Sequence, residues 1–282
     1  MTTSTRFTDL VGCDLPLQLA AMGMVGTTEL AAAVALAGGL GMVPSEHEPA
    51  DDPCGVNFLM PFEPALDRIG ETAGKCRVVE FFYDDPNPEV IEKTHRGGAL
   101  AGWQVGSAAE ATAAEECGCD YVAAQGVEAG GHVRGTQPLD DLLPSVLAAV
   151  RIPVVAAGGV ATAERFAELM QMGADGVRVG TRFLACPESG AHPEYVRSVL
   201  AADGEDTTLT EWFGENWENA PHRVLRSAID AAQQSGWRQP VPPYQGVDHD
   251  ASEMAMYAGS AVGDVTAVEP AEAVVADLVR LL

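Results

Sequence analysis

The segment AAQGVEAGGHVRG, residues 123–135, runs from an apolar stretch into three glycines and then a histidine. A turn needs one glycine, at most two. Gly126 suits a strand end, whereas Gly130 and Gly131 let a flat ligand approach the backbone and leave His132 at the mouth of a site. An imidazole there serves as base or hydrogen-bond donor near neutral pH. His47, His95, His192, His222 and His249 lack such a setting and read as solvated or core residues.

Two further glycine pairs end apolar runs: AAGG (156–159) and VGTRF (179–183). Gly158 and Gly159 leave backbone N–H groups unobstructed, and a helix starting near Thr162 aims its positive end nearby. Gly180 and Thr181 add amides and a hydroxyl. Together they suit a phosphate held by dipoles and hydrogen bonds rather than by lysine; tight turns alone are the alternative. Gln104 ends another run, with an amide able to donate and accept against a heteroaromatic edge. Gln125 lies at the strand end before Gly126. Asn57 is a polar residue inside an apolar run, and a buried amide needs a partner. For Asn57 and Gln104 an internal hydrogen bond remains the alternative to a ligand.

Eight short apolar runs position these residues: 15–22, 39–43, 55–60, 78–83, 99–105, 120–126, 152–159 and 175–180. Continuous rather than alternating apolarity suits strands buried on both faces of a parallel sheet. Most of the links look helical. Ser107-Ala-Ala-Glu110 predicts a capping box. In ATAERFAELMQMG, Phe166, Leu169 and Met170 share a face and Gly173 closes the helix. The link PSEHEPADDPC makes a regular helix doubtful, and 66–76 has room for a short one. An α/β fold follows: a (β/α)8 TIM barrel over residues 1–186 plus a following helix to about 202. Residues 203–282 are expected as a C-terminal, mainly helical extension packing on the barrel. Helical candidates beyond residue 187 lie at 193–202, 221–236 and 269–282. In this fold the site lies at the C-terminal strand ends, with phosphate after strands seven and eight.

The 282 residues suit one such barrel. With 41 acidic against 16 basic residues, net charge −25, the chain is a poor partner for nucleic acid or an anionic membrane. The first residues do not read as a signal peptide, and no apolar run reaches the roughly 18 residues of a membrane span. Six cysteines without a CxxC read as reduced thiols, which points to the cytoplasm and to no metal site. A homo-oligomer is compatible with all of this.

These segments together resemble the nitronate monooxygenase family, formerly the 2-nitropropane dioxygenases, which are FMN-dependent TIM barrels. LPLQLAAMGMVGTTELAAAVALAGGLG is similar to the family's opening strand and helix. GVNF, QGVEAGGHVRG, PVVAAGGVAT and GADGVRVGTRFLACPES follow in the family's order, and AMYAGSAVGDV is similar to its closing segment. The resemblance implies that Ala21, Met22 and Gly23 line the flavin, and that Asn57 and Gln104 reach its ring or ribityl chain. It places Gly130 and Gly131 against the flavin, and Gly158, Gly159, Gly180 and Thr181 at the FMN phosphate. His132 matches the active-site histidine that contacts the nitro group. It also suggests that Met256, Tyr257 and Ser260 face the substrate side. A lysine often occupies the position of Gln104 in the family, and this chain is shorter around 44–54, around 61–76 and in its C-terminal part.

The implied reaction is oxidation of a small alkyl nitronate or nitroalkane by O2, giving a carbonyl compound and nitrite. The alternative is an NAD(P)H-dependent FMN reductase acting on a quinone or an enoyl thioester, since FMN-dependent enoyl reductases have a similar EAGGH loop. IMP dehydrogenase shares the glycine-rich phosphate loops, but none of the six cysteines sits in its G-x-x-C-x-T setting. A flavin- or phosphate-binding barrel without turnover is a third class.

Overall fold

A computed structural model describes residues 4–49, 53–62, 65–214, 217, 219–246 and 250–282; His249 lies outside them. All eight expected runs form strands. They are β1 (Leu17–Leu19), β2 (Gly41–Pro44), β3 (Cys54–Leu59), β4 (Val78–Phe82), β5 (Leu100–Val105) and β6 (Tyr121–Gln125), then, beyond a two-residue strand β7 (Gly131–His132), β8 (Val154–Ala157) and β9 (Gly176–Val179). Neighbours pair in parallel in the order β1-β9-β8-β6-β5-β4-β3-β2. Leu40 closes the ring: its N–H donates to the Leu17 carbonyl at 2.8 Å, and its carbonyl accepts from Leu19 N–H at 3.0 Å. The sheet is a closed (β/α)8 barrel.

Burial on both faces explains the continuous apolarity of the runs. Outward residues such as Leu17, Leu19, Val56, Phe58, Phe81 and Trp103 belong to one large buried cluster. Inward residues Met42, Val78, Tyr121, Ala123 and Val155 fill the barrel base together with Phe7. Phe7 is on the first helix, α1 (Arg6–Val11), which plugs that end. Each fully buried Leu or Phe contributes about 1.5–3 kcal/mol relative to exposure.

The other helices are α2 (Thr28–Leu36), α3 (Leu66–Ala73), α4 (Pro88–Gly97), α5 (Ala108–Glu116), α6 (Leu139–Ala149), α7 (Ala163–Gln171), α8 (Pro193–Ala201), α9 (Arg226–Ser235) and α10 (Ala271–Leu278). As expected, the described part of 44–54 holds no helix and α3 is short. The expected capping box on α5 is only half formed. Ser107 accepts from Glu110 N–H, but the Glu110 carboxylate takes Gly106 N–H at 2.7 Å and Arg134 Nε at 2.8 Å instead.

The chain after β9 departs from expectation in two places. The segment expected as helix from 221 opens as a strand, β11 (His222–Leu225), and becomes helical only at Arg226. β11 pairs antiparallel with β10 (Thr207–Thr210) on one side and with β7 on the other. The helix following β9 was expected to complete the barrel, but α8 packs among Leu184, Ala185, Leu225, Ala228 and Val262, outside the barrel core. It is α10 that joins that core, through Ala271, Val274, Val275 and Leu278 against α2 and α7. Residues 187–270 are thus interposed between the last barrel strand and the helix that packs beside the first.

Candidate active site

A cavity of about 840 Å³ opens at the C-terminal ends of the barrel strands. Its wall brings together fourteen of the sixteen residues expected at the site, Ala21, Met22, Gly23, Asn57, Gln104, Gln125, Gly130, Gly131, His132, Gly158, Gly159, Gly180, Thr181 and Tyr257, but neither Met256 nor Ser260. Among the described residues no group of three or more His, Cys, Asp or Glu could hold a metal.

One end of the cavity is a cradle of backbone. Gly158 and Gly159 have φ of 110° and 68°, positive values that side chains resist. Thr162 caps α7 by accepting Arg165 N–H at 3.2 Å, so this helix starts just beyond the glycines. The Thr181 hydroxyl accepts Gly259 N–H at 2.9 Å and keeps its own proton to donate. The segment 258–261 is a further wall: Gly259 and Ala261 both line the cavity. It also explains Gly130, where a Cβ would sit 2.6 Å from the Gly259 nitrogen and 2.7 Å from the Ala258 carbonyl carbon. That glycine admits another stretch of backbone rather than the ligand alone. Ser260 anchors the segment by donating its N–H to the Glu128 carbonyl at 2.9 Å.

Another part of the wall is aromatic. β11 holds β7 in register, with His222 opposite His132. Around the His132 ring stand Trp217 at 4.0 Å between centroids, His222 at 5.2 Å, Tyr83 at 5.7 Å and Tyr257 at 6.1 Å. Burial, with a smaller contribution from His222, pushes the His132 pKa down to about 3. The ring is therefore neutral near pH 7, a donor and acceptor rather than a cation. Its Nδ1 is buried without a partner among the described residues, as is Gln125 Oε1. Gln125 Nε2 donates to the His132 carbonyl at 3.0 Å. Among the described residues three non-glycine residues adopt left-handed backbone: Met22 (φ 54°), which lines the cavity, Tyr83 (φ 74°), whose ring faces His132, and Asn219 (φ 56°), whose carbonyl accepts from Tyr83 OH. Such conformations cost about 1–3 kcal/mol each and gather at functional sites.

The floor is a buried polar network that sequence reasoning found only in part. Asn57 Nδ2 donates to Glu80 at 2.9 Å, Tyr121 OH donates to Glu80 at 2.8 Å, and Arg178 forms an ion pair with Glu80. Arg178 also donates to Gln104 Oε1 at 2.5 Å and to Gln18 Oε1 at 3.0 Å. Gln18, Glu80 and Arg178 are polar residues inside apolar runs, the same signal that marked Asn57. The internal hydrogen bonds held open for Asn57 and Gln104 are present, and both residues line the cavity as well.

The remaining histidines divide. His222 is fully buried, His95 binds Asp120 at 2.8 Å and His192 caps α8, while His47 lines the cavity mouth. Tyr257 also lines the cavity, whereas Met256 is packed in the core formed with α8.

The arrangement recurs in known proteins. FabK from Thermotoga maritima superposes over 99% of this chain and 96% of its own, at 28% identity and TM-score 0.84. A nitroalkane oxidase from Streptomyces ansochromogenes matches over 97% of this chain and 96% of its own, at 31% identity and TM-score 0.76. A curated relative from Rhodococcus jostii, a 5-hydroxy-7a-methyl-1-oxo-octahydro-1H-indene-4-carboxyl-CoA dehydrogenase, is 36% identical across 83% of this chain and 69% of its own length. Residues 53–280 match the family model described as nitronate monooxygenase, a span that takes in Asn57, Glu80, Gln104 and Arg178 of the floor network, the His132 loop, the glycine cradle and the closing segment. With that match over most of its length, the chain belongs to the nitronate monooxygenase family.

Proposed function

We propose that this protein is an FMN-dependent monooxygenase that oxidises small alkyl nitronates or nitroalkanes with O2 to a carbonyl compound and nitrite. The observation that carries the reading is His132. It is neutral, its Nδ1 has no partner among the described residues, and it stands in the wall of a cavity that also holds a glycine cradle.

The residues present fit FMN. The cavity falls within the usual size range for a ligand site. Gly158, Gly159, Gly180 and Thr181 would hold the phosphate without a lysine, helped by the start of α7. Gln125 Oε1, Asn57 and Gln104 offer polar atoms to the ring or its ribityl chain. When bound, FMN supplies the electron-accepting ring that O2 reoxidises. The protein's own part is placement. His132 would donate a hydrogen bond to a nitro oxygen, or take the α-proton of a neutral nitroalkane onto its unprotonated nitrogen. A bound nitronate, being an anion, would offset the burial that keeps the imidazole neutral. Trp217, Tyr257 and Phe82 would exclude water above the ring. The −25 charge gives no long-range attraction for an anionic substrate, so recognition rests on these local groups.

A second reading is supported by the breadth of the cavity and by the Rhodococcus relative. It is a flavin reductase or dehydrogenase of a quinone or an acyl thioester. The acidic surface opposes it, because the phosphates of a coenzyme A thioester would be repelled. We place the enzyme in a reducing cytoplasm, supported by six cysteines with no CxxC spacing. Among the described residues no helix is long and apolar enough to cross a membrane.

The test is stoichiometry. Enzyme supplied with alkyl nitronate in air should consume O2 and release nitrite and carbonyl compound in equal amounts. Absence of nitrite, with an enoyl thioester or quinone reduced at the expense of NAD(P)H, would replace this reading with the second.

A further inference from the structure

We propose that the Arg178–Glu80 ion pair fixes the polarity of the cavity floor, so that Gln104 presents a hydrogen-bond donor and Asn57 an acceptor to a uracil-like ring edge. Arg178 and Glu80 are positioning residues in this account: they act through the two amides. The inference rests on the FMN reading and deepens it.

A guanidinium only donates and a carboxylate only accepts. Arg178, on β9, donates through Nη1 to Gln104 on β5 at 2.5 Å, so the side-chain oxygen of Gln104 must face the guanidinium. Its Nε2 is left over, with no partner among the described residues, in a side chain that lines the cavity. Glu80, on β4 and 1% exposed, receives Asn57 Nδ2 at 2.9 Å, so the nitrogen of Asn57 must face the carboxylate. Asn57 Oδ1 is left over in the same way. An isolated amide can turn over, exchanging its O and N positions. Here either turn would set donor against donor or acceptor against acceptor in a buried site, which the low dielectric penalises.

The rest of the network leaves the pair little freedom. Arg178 spends Nε and Nη2 on Gln18 Oε1 at 3.2 and 3.0 Å. Glu80 also receives Tyr121 OH at 2.8 Å and Gln18 Nε2 at 3.4 Å. Gly102 lies between them because a Cβ there would stand 2.3 Å from Tyr121 Cζ. The floor therefore offers one N–H and one C=O in a fixed order. The pyrimidine edge of a flavin reads carbonyl, N3–H, carbonyl, so it can take both a donor and an acceptor. The donor is also polarised from behind by Arg178.

The test compares FMN with 3-methyl-FMN, which lacks N3–H, in the wild-type protein and in the double variant Glu80→Gln/Arg178→Gln. Affinities are read by flavin fluorescence, and the two-electron midpoint potential by dye equilibration. Wild type should prefer FMN by about tenfold, the worth of one such hydrogen bond. In the double variant the amides are free to turn, so that preference should fall to about twofold or less. The potential of bound FMN should drop by about 30 mV, a tenfold weaker hold on the reduced form. Arg178→Lys, which keeps a cation behind Gln104, should stay nearer the wild-type potential than the double variant. Unchanged preference and potential in a flavin-loaded double variant would overturn the proposal and leave FMN binding intact. If wild type binds neither flavin, the FMN reading fails and this inference with it. Should the double variant not fold, Gln104→Met removes the donor but keeps the pair, and an unchanged potential there would equally overturn it.

Discussion

His132 and His222 sit directly opposite each other on paired strands, ring centroids 5.2 Å apart. Burial lowers the pKa of both, that of His132 to about 3. Below about pH 6.5 the unfolded chain takes up protons that the folded chain refuses, so stability is lost as pH falls from there toward 3. For His132 alone the loss at pH 5 is about 2 kcal/mol. In denaturant titrations at pH 7 and pH 5, His132→Gln should lose less stability between the two than wild type. Parallel losses would mean that His132 is not held neutral in the folded protein.

His132→Ala should leave FMN bound, because the cradle and floor are untouched, and lower turnover of neutral nitroalkanes by about a hundredfold. A preformed nitronate needs no proton removed and should suffer less. Steady-state O2 uptake with each substrate reads the difference, and equal losses on both would deny His132 a role as base.

Gly130→Ala forces a methyl group to within 2.6 Å of the Gly259 nitrogen. Both nearest atoms are backbone, so segment 258–261 must shift, at a cost of about 1–3 kcal/mol. The urea midpoint should fall and FMN should dissociate faster. A stable variant with unaltered FMN release would show that the closing segment does not retain the cofactor.

Thr181→Val removes both the acceptor for Gly259 N–H and the hydroxyl proton facing the cradle. FMN affinity should fall by about tenfold or more while riboflavin, which has no phosphate, is affected far less. An unaltered FMN-to-riboflavin ratio would move the phosphate elsewhere.

The eight barrel strands were legible because each is buried on both faces, which writes an unbroken apolar run into the sequence. The His132 loop and the two glycine pairs were legible because several glycines at strand ends exceed what a turn requires. β11 was not, because 221–236 has no local feature that separates its strand from its helix, and of its partners β10 is four residues long and β7 two residues long and some ninety positions distant. Gly130 was read as making room for the ligand, but its closest neighbours come from 258–259, a contact no local pattern announces. Arg178 and Glu80 were hidden inside VRV and VEF, where one charged residue among apolar ones draws little notice. Only the barrel, by bringing β4 and β9 to opposite sides of one floor, turns them into a pair. Likewise α10 reads as a terminal helix until its packing against α2 and α7 puts it in the barrel wall.

The most direct test of nitronate oxidation is anaerobic mixing of the FMN-loaded protein with an alkyl nitronate and, separately, with NADH, while the flavin absorbance is followed. The account predicts rapid bleaching by the nitronate and none by NADH on the same timescale, with colour restored on admitting O2. Rapid bleaching by NADH and no response to the nitronate would contradict it.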